Sequence, residues 1–257
     1  MHRFFVEPED IKDEKEVIIT GNDVRHITRS LRLRSGDKIS VCNGAGQDYL
    51  VELTELDQDD DQVKGRIIES QKSKGEPEIE VTLFQGLPKK DKMDLISQKC
   101  TELGINRVIP VEMKRSIVKL NQKKAKRRIN RWQKIAYEGA KQSKRGIIPE
   151  IGPLYSFKDM IQYIKDEGYD LCLIPWEESE SKSIKEAIAL DQTEKDQIKK
   201  VAYVIGPEGG LEEDEVESIK EVGGQSITLG PRILRTETAG LAVLAVLMYE
   251  FNQMEEV

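Results

Sequence analysis

Polar and apolar residues alternate with a period of two over the first part of the chain. Asp37-Lys38-Ile39-Ser40-Val41-Cys42 and Asp48-Tyr49-Leu50-Val51-Glu52-Leu53 both read this way, with Asn43-Gly44-Ala45-Gly46 between them. That pattern predicts two strands joined by a hairpin turn. Val63–Glu69 predicts a further strand after the acidic turn Asp57–Asp61. One helical segment, Asp23–Leu31, interrupts the strands. It presents Arg25, His26 and Arg29, with Arg32 and Arg34 following just before the tight turn Ser35-Gly36-Asp37. Residues 1–72 therefore read as a small β-rich domain. Gln71–Glu78 is polar and aperiodic, contains Gly75 and Pro77, and reads as a linker to a second domain, 73–257.

Beyond the linker, short apolar runs alternate with helical periodicity. Strands are predicted at Ile79–Leu87, Arg107–Met113, Tyr169–Pro175, Val201–Ile205 and Ser226–Leu229. Helices are predicted at Lys89–Leu103, Gln122–Ser143, Ser156–Glu167, Glu212–Val222 and Thr236–Met254. Ser156 suits the N-cap of its helix and Gly168 the stop. Strand–helix alternation over this length implies an α/β fold, a mostly parallel sheet with helices on both faces.

Two glycine turns in the last fifty residues draw the functional argument. Gly206-Pro207-Glu208-Gly209-Gly210 ends one predicted strand and Leu229-Gly230 the other. Loops at the carboxyl ends of parallel strands are where such sheets hold ligands, and glycine lets backbone approach a bound molecule closely. The helix after Gly210 opens Glu212-Glu213-Asp214-Glu215, with Glu208 already inside the turn. Carboxylates there occupy the positive helix end that a phosphate would use. The site is therefore poorly suited to NAD, ATP or any pyrophosphate, and no GxGxxG or GxxxxGK[ST] motif follows a strand. A neutral or cationic nucleoside such as S-adenosylmethionine fits it. Pro175-Trp176-Glu177-Glu178 supplies a third strand-end loop.

Leu229-Gly230-Pro231-Arg232-Ile233-Leu234-Arg235-Thr236-Glu237-Thr238-Ala239 sets Arg235 and Glu237 beside an almost wholly apolar helix. A helix apolar all round is buried, so these charges stand at the mouth of a dry region and are paired or functional. A structural Arg–carboxylate capping pair is the competing reading.

Composition narrows the class. Hydrophobic residues at 38% and charged residues at 34% describe a soluble globular protein. Cys42, Cys100 and Cys172 are scattered with no CxxC pair, and His2 and His26 are the only histidines. Neither a disulfide framework nor a metal site is indicated, and a reduced, cytoplasmic setting fits. Met1–Asp10 has no signal-peptide core, and the longest apolar run, Ala239–Tyr249, is about half a bilayer span. The net charge of −7 hides a segregation. Lys114–Arg145 carries thirteen Lys or Arg against the single acid Glu138, a local +12, which leaves −7 − 12 = −19 on the rest. That suggests a polyanion-binding face on an acidic body, the plain alternative being a solvated basic helix.

Taken together, these pieces resemble the SPOUT-superfamily ribosomal RNA uridine-N3 methyltransferases of the small subunit (16S), the RsmE type. Matching residues run along nearly the whole chain: Arg3-Phe4-Phe5, His26-Ile27 with Leu31-Arg32, Lys99 with Thr101-Glu102-Leu103-Gly104, Arg115-Ser116, and Gln142 with Arg145 and Pro149, besides the two glycine segments. The resemblance implies an N-terminal PUA-like β-barrel that helps bind RNA, a C-terminal methyltransferase domain with a deep trefoil knot, and a homodimer. It further implies S-adenosylmethionine held by Ile174, Pro175, Glu177, Gly206, Pro207, Glu208, Gly209, Gly210, Leu229, Gly230, Ile233, Leu234, Thr238 and Ala239. RNA contacts are expected from Arg3, Arg25, His26, Arg29, Arg32, Lys89, Lys99, Arg115, Lys124, Arg127, Arg128, Arg131, Gln142 and Arg145.

Uridine N3 lies on the Watson–Crick edge, so the target must be unpaired or flipped. Its proton must also be lost. Arg235 is the candidate to stabilise the resulting anion and Glu237 a candidate proton acceptor. No metal is expected, and no membrane partner.

Overall fold

The alternating segments near the amino terminus pair as strands in the computed structural model, which describes residues 1–57, 61–176, 182–189 and 192–254. The chain divides into two compact units, Met1–Glu76 with Ala140–Ile148 and Pro77–Gly139 with Pro149–Val257.

The first unit holds β1 (Arg3–Phe5), β2 (Ile11–Lys12), β3 (Glu16–Thr20), the single-turn α1 (Asn22–Arg25), β4 (Lys38–Cys42), β5 (Gln47–Asp57) and β6 (Gln62–Lys72). Its sheet runs β1-β4-β5-β6-β3-β2. Every second strand residue points inward, so Val17, Ile19, Ile39, Val41, Val51, Leu53 and Val63 form one core with Phe4, Val24 and Ile27. The β4–β5 hairpin closes as the sequence predicts: Asn43 Oδ1 accepts the amides of Ala45 and Gln47. Two boundaries differ. The predicted helix Asp23–Leu31 is α1 followed by a π-type turn over His26–Ser30. Gln71, read as linker, is still in β6, paired with Asp48.

Segment 140–148 belongs to this unit through buried charge. Arg145 is 2% exposed and binds Glu76 at 2.7 Å. Glu76 also accepts the amides of Gly146 and Ile147 at 2.7 and 3.0 Å. Arg3 pairs with both oxygens of Asp48 and donates to the Arg145 carbonyl.

The second unit contains β7 (Glu80–Gly86), α2 (Lys92–Glu102), β8 (Arg107–Glu112), α3 (Gln122–Gln142, whose last residues pass into the first unit), β9 (Glu150–Ile151), β10 (Tyr155–Ser156), α4 (Phe157–Glu167) and β11 (Leu171–Pro175). After these come α5 (Ile184–Ala187), α6 (Gln192–Gln197), β12 (Lys200–Ile205), α7 (Glu213–Glu221), β13 (Gly224–Ile227) and α8 (Thr236–Glu250). The sheet order is β10-β8-β7-β12-β11-β13, with β9 beside β8. Every pairing among the described strands is parallel.

Alternate strand residues feed two cores. Leu83, Val201 and Tyr203 pack with α2, α3 and α8, whereas Phe84, Ala202 and Val204 pack with α4 and α7. Helices thus cover both faces. α4 starts on the predicted N-cap Ser156, which forms a capping box with Asp159, and ends on left-handed Gly168.

Two predicted elements end early. α8 stops at Glu250, and Asn252 beyond it takes φ 58°. β13 stops at Ile227 because Thr228 leaves to bridge Ser183. α8 also departs from the expectation of burial all round. Ala239, Val243, Leu244, Leu247 and Met248 are buried, but Leu241, Ala242, Ala245 and Val246 are only half-covered and Tyr249 is 70% exposed.

Candidate active site

Beyond β7 the chain first moves outward through β8 to β10, and β12 then returns to lie against the other side of β7. That reversal opens a crevice at the carboxyl ends of the strands. The loops after β11, β12 and β13 surround a cavity of about 800 Å³, a size suited to a small-molecule ligand. Of the expected cofactor residues, Pro175, Gly206, Pro207, Glu208, Gly210, Leu229, Gly230, Ile233, Leu234 and Ala239 line it, together with the catalytic candidate Arg235.

Other expected residues sit elsewhere. Ile174 is wholly buried in the core behind the cavity. Thr238 is exposed on α8 and outside the lining, as is Gly209, whose carbonyl accepts from Arg115 at 2.8 Å. Glu177 lies outside the described residues.

The glycines serve the turn more than the ligand. A Cβ on Gly206 would meet the Gly210 backbone at 2.8 Å, so the loop can close on itself only with glycine there. Gly210 itself takes φ 74°, a left-handed conformation that glycine adopts freely.

The acidic run has mixed duties. Glu212 and Glu215 form a reciprocal capping box at the start of α7, and Glu215, 1% exposed, also accepts the Lys114 amide. These bonds satisfy backbone donors that a phosphate would otherwise use. Arg115, expected at the RNA, instead lines the cavity, binds Glu212 at 2.8 Å and so holds the turn. The Arg115 guanidinium holds the Glu212 carboxyl below its ordinary value.

Lys92, which the sequence reading missed, lies between two carboxylates. Its Nζ is 3.1 Å from Glu208 and 3.0 Å from Glu237. Burial alone would raise both carboxyls. Backbone amides and the Lys92 ammonium outweigh it, so both lie below their ordinary values, and Lys92 is raised in turn. Glu237 is therefore paired with Lys92, not through a capping pair with Arg235. Arg232 and Arg235 are exposed at the cavity, with no ion pair among the described residues. Nothing in the run Lys89-Lys90-Asp91-Lys92 distinguishes Lys92. One turn of α2 decides which ammonium faces the cavity.

Below the lining, Thr236 donates to the Gly206 carbonyl at 2.7 Å and accepts from the fully buried Gln85 at 2.9 Å. Gln85, at the end of β7, was also missed. A polar residue between Phe84 and Gly86, at the apolar end of the strand, was its signal.

The residues expected at RNA divide into two groups. Arg25, His26, Arg29 and Arg32 are exposed on the first unit, and Lys124, Arg127 and Arg131 are exposed on α3, with Arg128 half-covered. Lys89 and Gln142 are exposed too. Arg131 also pairs with Asp94, and Lys99 with Glu102. Arg3 and Arg145 have no such freedom, because their guanidiniums are committed to Asp48 and Glu76 inside the first unit. Among the described residues no cluster of side chains could hold a metal ion, and no helix is long and apolar enough to cross a membrane.

The sequence matches the RNA methyltransferase domain over residues 75–248 and the RNA methyltransferase PUA domain over residues 19–68. The chain belongs to the RNA methyltransferase family. Ribosomal RNA small subunit methyltransferase E of Bacillus subtilis (strain 168) is 39% identical over 252 residues, 97% of each chain. The enzyme of the same name from Mesomycoplasma hyopneumoniae (strain 232) is 32% identical, covering 95% of this chain and 97% of that one. Among solved structures, ribosomal RNA small subunit methyltransferase E from Neisseria gonorrhoeae bound to S-adenosyl methionine superposes with a TM-score of 0.81 at 30% identity, covering 97% of each chain. In this RNA methyltransferase the fold is α/β with an N-terminal PUA-like unit, in keeping with the resemblance read from the sequence.

Proposed function

We propose that this RNA methyltransferase methylates N3 of a uridine in 16S ribosomal RNA of the small ribosomal subunit, with S-adenosylmethionine as donor. One observation carries the reading. The ligand-sized cavity is walled by the three loops that the resemblance assigns to the cofactor, in a chain 39% identical over 97% of its length to a small-subunit methyltransferase. The cavity's chemistry fits the donor. Glu208 and Glu237 set two carboxylates against the single ammonium of Lys92, and the α7 capping box occupies backbone donors that a pyrophosphate would need.

When bound, the donor supplies a methyl group on a positively charged sulfur. The chain's own residues must align the base and hold the charge left when N3 loses its proton. Good alignment lowers such a barrier by on the order of 7–11 kcal/mol. Arg235, exposed at the cavity and without an ion pair among the described residues, stabilises the N3 anion. Glu237 is kept ionised by Lys92, so it is available to accept a proton. Its low pKa makes it a weak base, which puts more of the work on Arg235.

The rest of the reading follows the uncommitted surfaces. Arg25, His26, Arg29 and Arg32 of the PUA-like unit (1–72) and the exposed bases of α3 contact RNA phosphates. The half-covered apolar stripe of α8, from Leu241 to the exposed Tyr249, packs against a second copy in a homodimer. The setting is cytoplasmic, where ribosomal RNA is found. Mass spectrometry of ribosomal RNA from cells with and without this gene tests the proposal: one 3-methyluridine is lost from 16S RNA. An unchanged 3-methyluridine content would sink it.

A further inference from the structure

Ile233 is 84% exposed, the most exposed large hydrophobic residue among the described residues. It stands at the cavity between Arg232 and Arg235, two exposed guanidiniums with no ion pair among the described residues. A single exposed isoleucine is ordinary on a protein surface. Its setting is not. The loop that carries it turns at Gly230 (φ 95°) and Pro231, and beyond the tip Leu234 packs against the main core. Gly230, Pro231 and Arg232 are exposed along with Ile233, so the tip stands out from the core. Isoleucine adds a side chain with little rotational freedom of its own.

We infer that Ile233 is an RNA wedge, with Arg232 and Arg235 gripping the phosphates that flank the target nucleotide. The inference rests on the uridine-N3 reading, because N3 is reached only when the base leaves its stack. Extrusion leaves a gap between neighbouring bases, and apolar side chains such as isoleucine fill gaps of this kind in nucleic-acid complexes. The wedge stands at the cavity assigned to the methyl donor, where the extruded base must meet the methyl group. The charge of its surroundings selects the occupant. Two guanidiniums beside the isoleucine suit a polyanion and would be costly to bury against an apolar protein surface. A second copy of the chain has a charge-free face to use instead, the stripe of α8. Arg235 on this view has two duties, toward a flanking phosphate before methyl transfer and toward the N3 anion during it.

The test compares two substrates. The methylated uridine is first mapped in small subunits lacking the mark. Subunits are then reconstituted with 16S transcripts in which that uridine is either base-paired or faces a base that cannot pair with it. Single-turnover methylation is measured on both for wild type, Ile233→Ala and Ile233→Leu, with cofactor affinity followed separately by calorimetry. The readout is the ratio of paired to unpaired rates, which a general loss of cofactor contact does not alter. Ile233→Ala is expected to lower that ratio about tenfold or more, since the paired base must be unstacked without the wedge, and Ile233→Leu to restore most of it. An Ile233→Ala ratio equal to wild type overturns the wedge, whether or not both rates fall. So does an Ile233→Ala protein that sediments as monomer where wild type is dimeric, which would make Ile233 a subunit contact. A wild type that binds no S-adenosylmethionine and methylates neither substrate instead sinks the methyltransferase reading, and the wedge with it.

Discussion

Thr236 donates its hydroxyl to the carbonyl of Gly206 at 2.7 Å, joining two loops that are thirty residues apart in sequence. The same oxygen accepts from Gln85, so the end of β7, the end of β12 and the start of α8 meet at one buried atom. The cavity wall is thereby built on the sheet. Thr236→Val preserves shape but leaves the partly buried Gly206 carbonyl and one N–H of the buried Gln85 amide, which still donates to the Gly86 carbonyl, without this partner. The expected cost is about 1–3 kcal/mol, read from urea denaturation, together with weaker S-adenosylmethionine binding by calorimetry.

Lys92 gives a pH-dependent prediction. Glu208 and Glu237 titrate below the ordinary 4.5 when folded. A carboxyl with a depressed folded pKa stabilises the protein above its unfolded value and loses that stabilisation as pH falls through the folded one. Lys92, raised from 10.5, contributes below that value and loses its effect as pH climbs past its folded pKa. Lys92→Met should therefore lower the melting temperature by a steady amount at mid-range pH. The gap to wild type should narrow in acid below about pH 4.5 and again in strong base. Thermal melts across a pH series check it, and a gap unchanged in acid would refute the pairing.

Arg235 and Glu237 are expected to separate in kinetics. Arg235→Ala should lower kcat by about 10²–10³, the usual effect of removing a donor to a developing anion. Glu237→Gln should have a smaller effect on kcat, because the ionised carboxylate is a weak base. Methylation assays at saturating cofactor measure both, and wild-type turnover in the two variants would discard these roles.

Two sets of basic residues should behave in opposite ways. Arg145→Ala leaves the largely covered Glu76 carboxylate with backbone amides but no cation, and should destabilise the first unit by about 3 kcal/mol, as measured by denaturation. Changing Lys123, Lys124, Arg127 and Arg128 to Glu should leave stability nearly unchanged and weaken RNA binding. The slope of log K against log salt should then fall by about 0.7–0.9 for each lost phosphate contact. Equal RNA affinity in the reversed variant would make α3 a solvated helix and nothing more.

Much of the architecture was legible from local pattern. Alternation at Lys38–Cys42, the Asn43–Gly46 turn and the Ser156 cap with its Gly168 stop each express preferences acting within a few residues. The strand-end turns were legible for the same reason: glycine and proline at Gly206-Pro207 and Gly230-Pro231 break a strand whatever surrounds it. Element ends were less so. Thr228 leaves β13 for a partner forty-five residues earlier, Ser183, and no local signal announces that.

Charge was the least legible feature. Arg3 and Arg145 look as basic in the sequence as Arg29 or Arg127. What separates them is burial beside Asp48 and Glu76, carboxylates 45 and 69 residues away. Arg115 likewise reads as an RNA contact until the fold places Glu212 and the Gly209 carbonyl against it.

By itself the sequence determined the α/β class, the three strand-end loops that form the cavity and the family, because these depend on short-range periodicity and on residue types fixed in order along the chain. Only the tertiary structure decided which lysine reaches Glu208 and Glu237, which arginines stay free, and which side of α8 lies bare. Those outcomes depend on distances between residues far apart in the chain, and an ion pair or a buried contact forms only when folding brings both partners within a few ångströms.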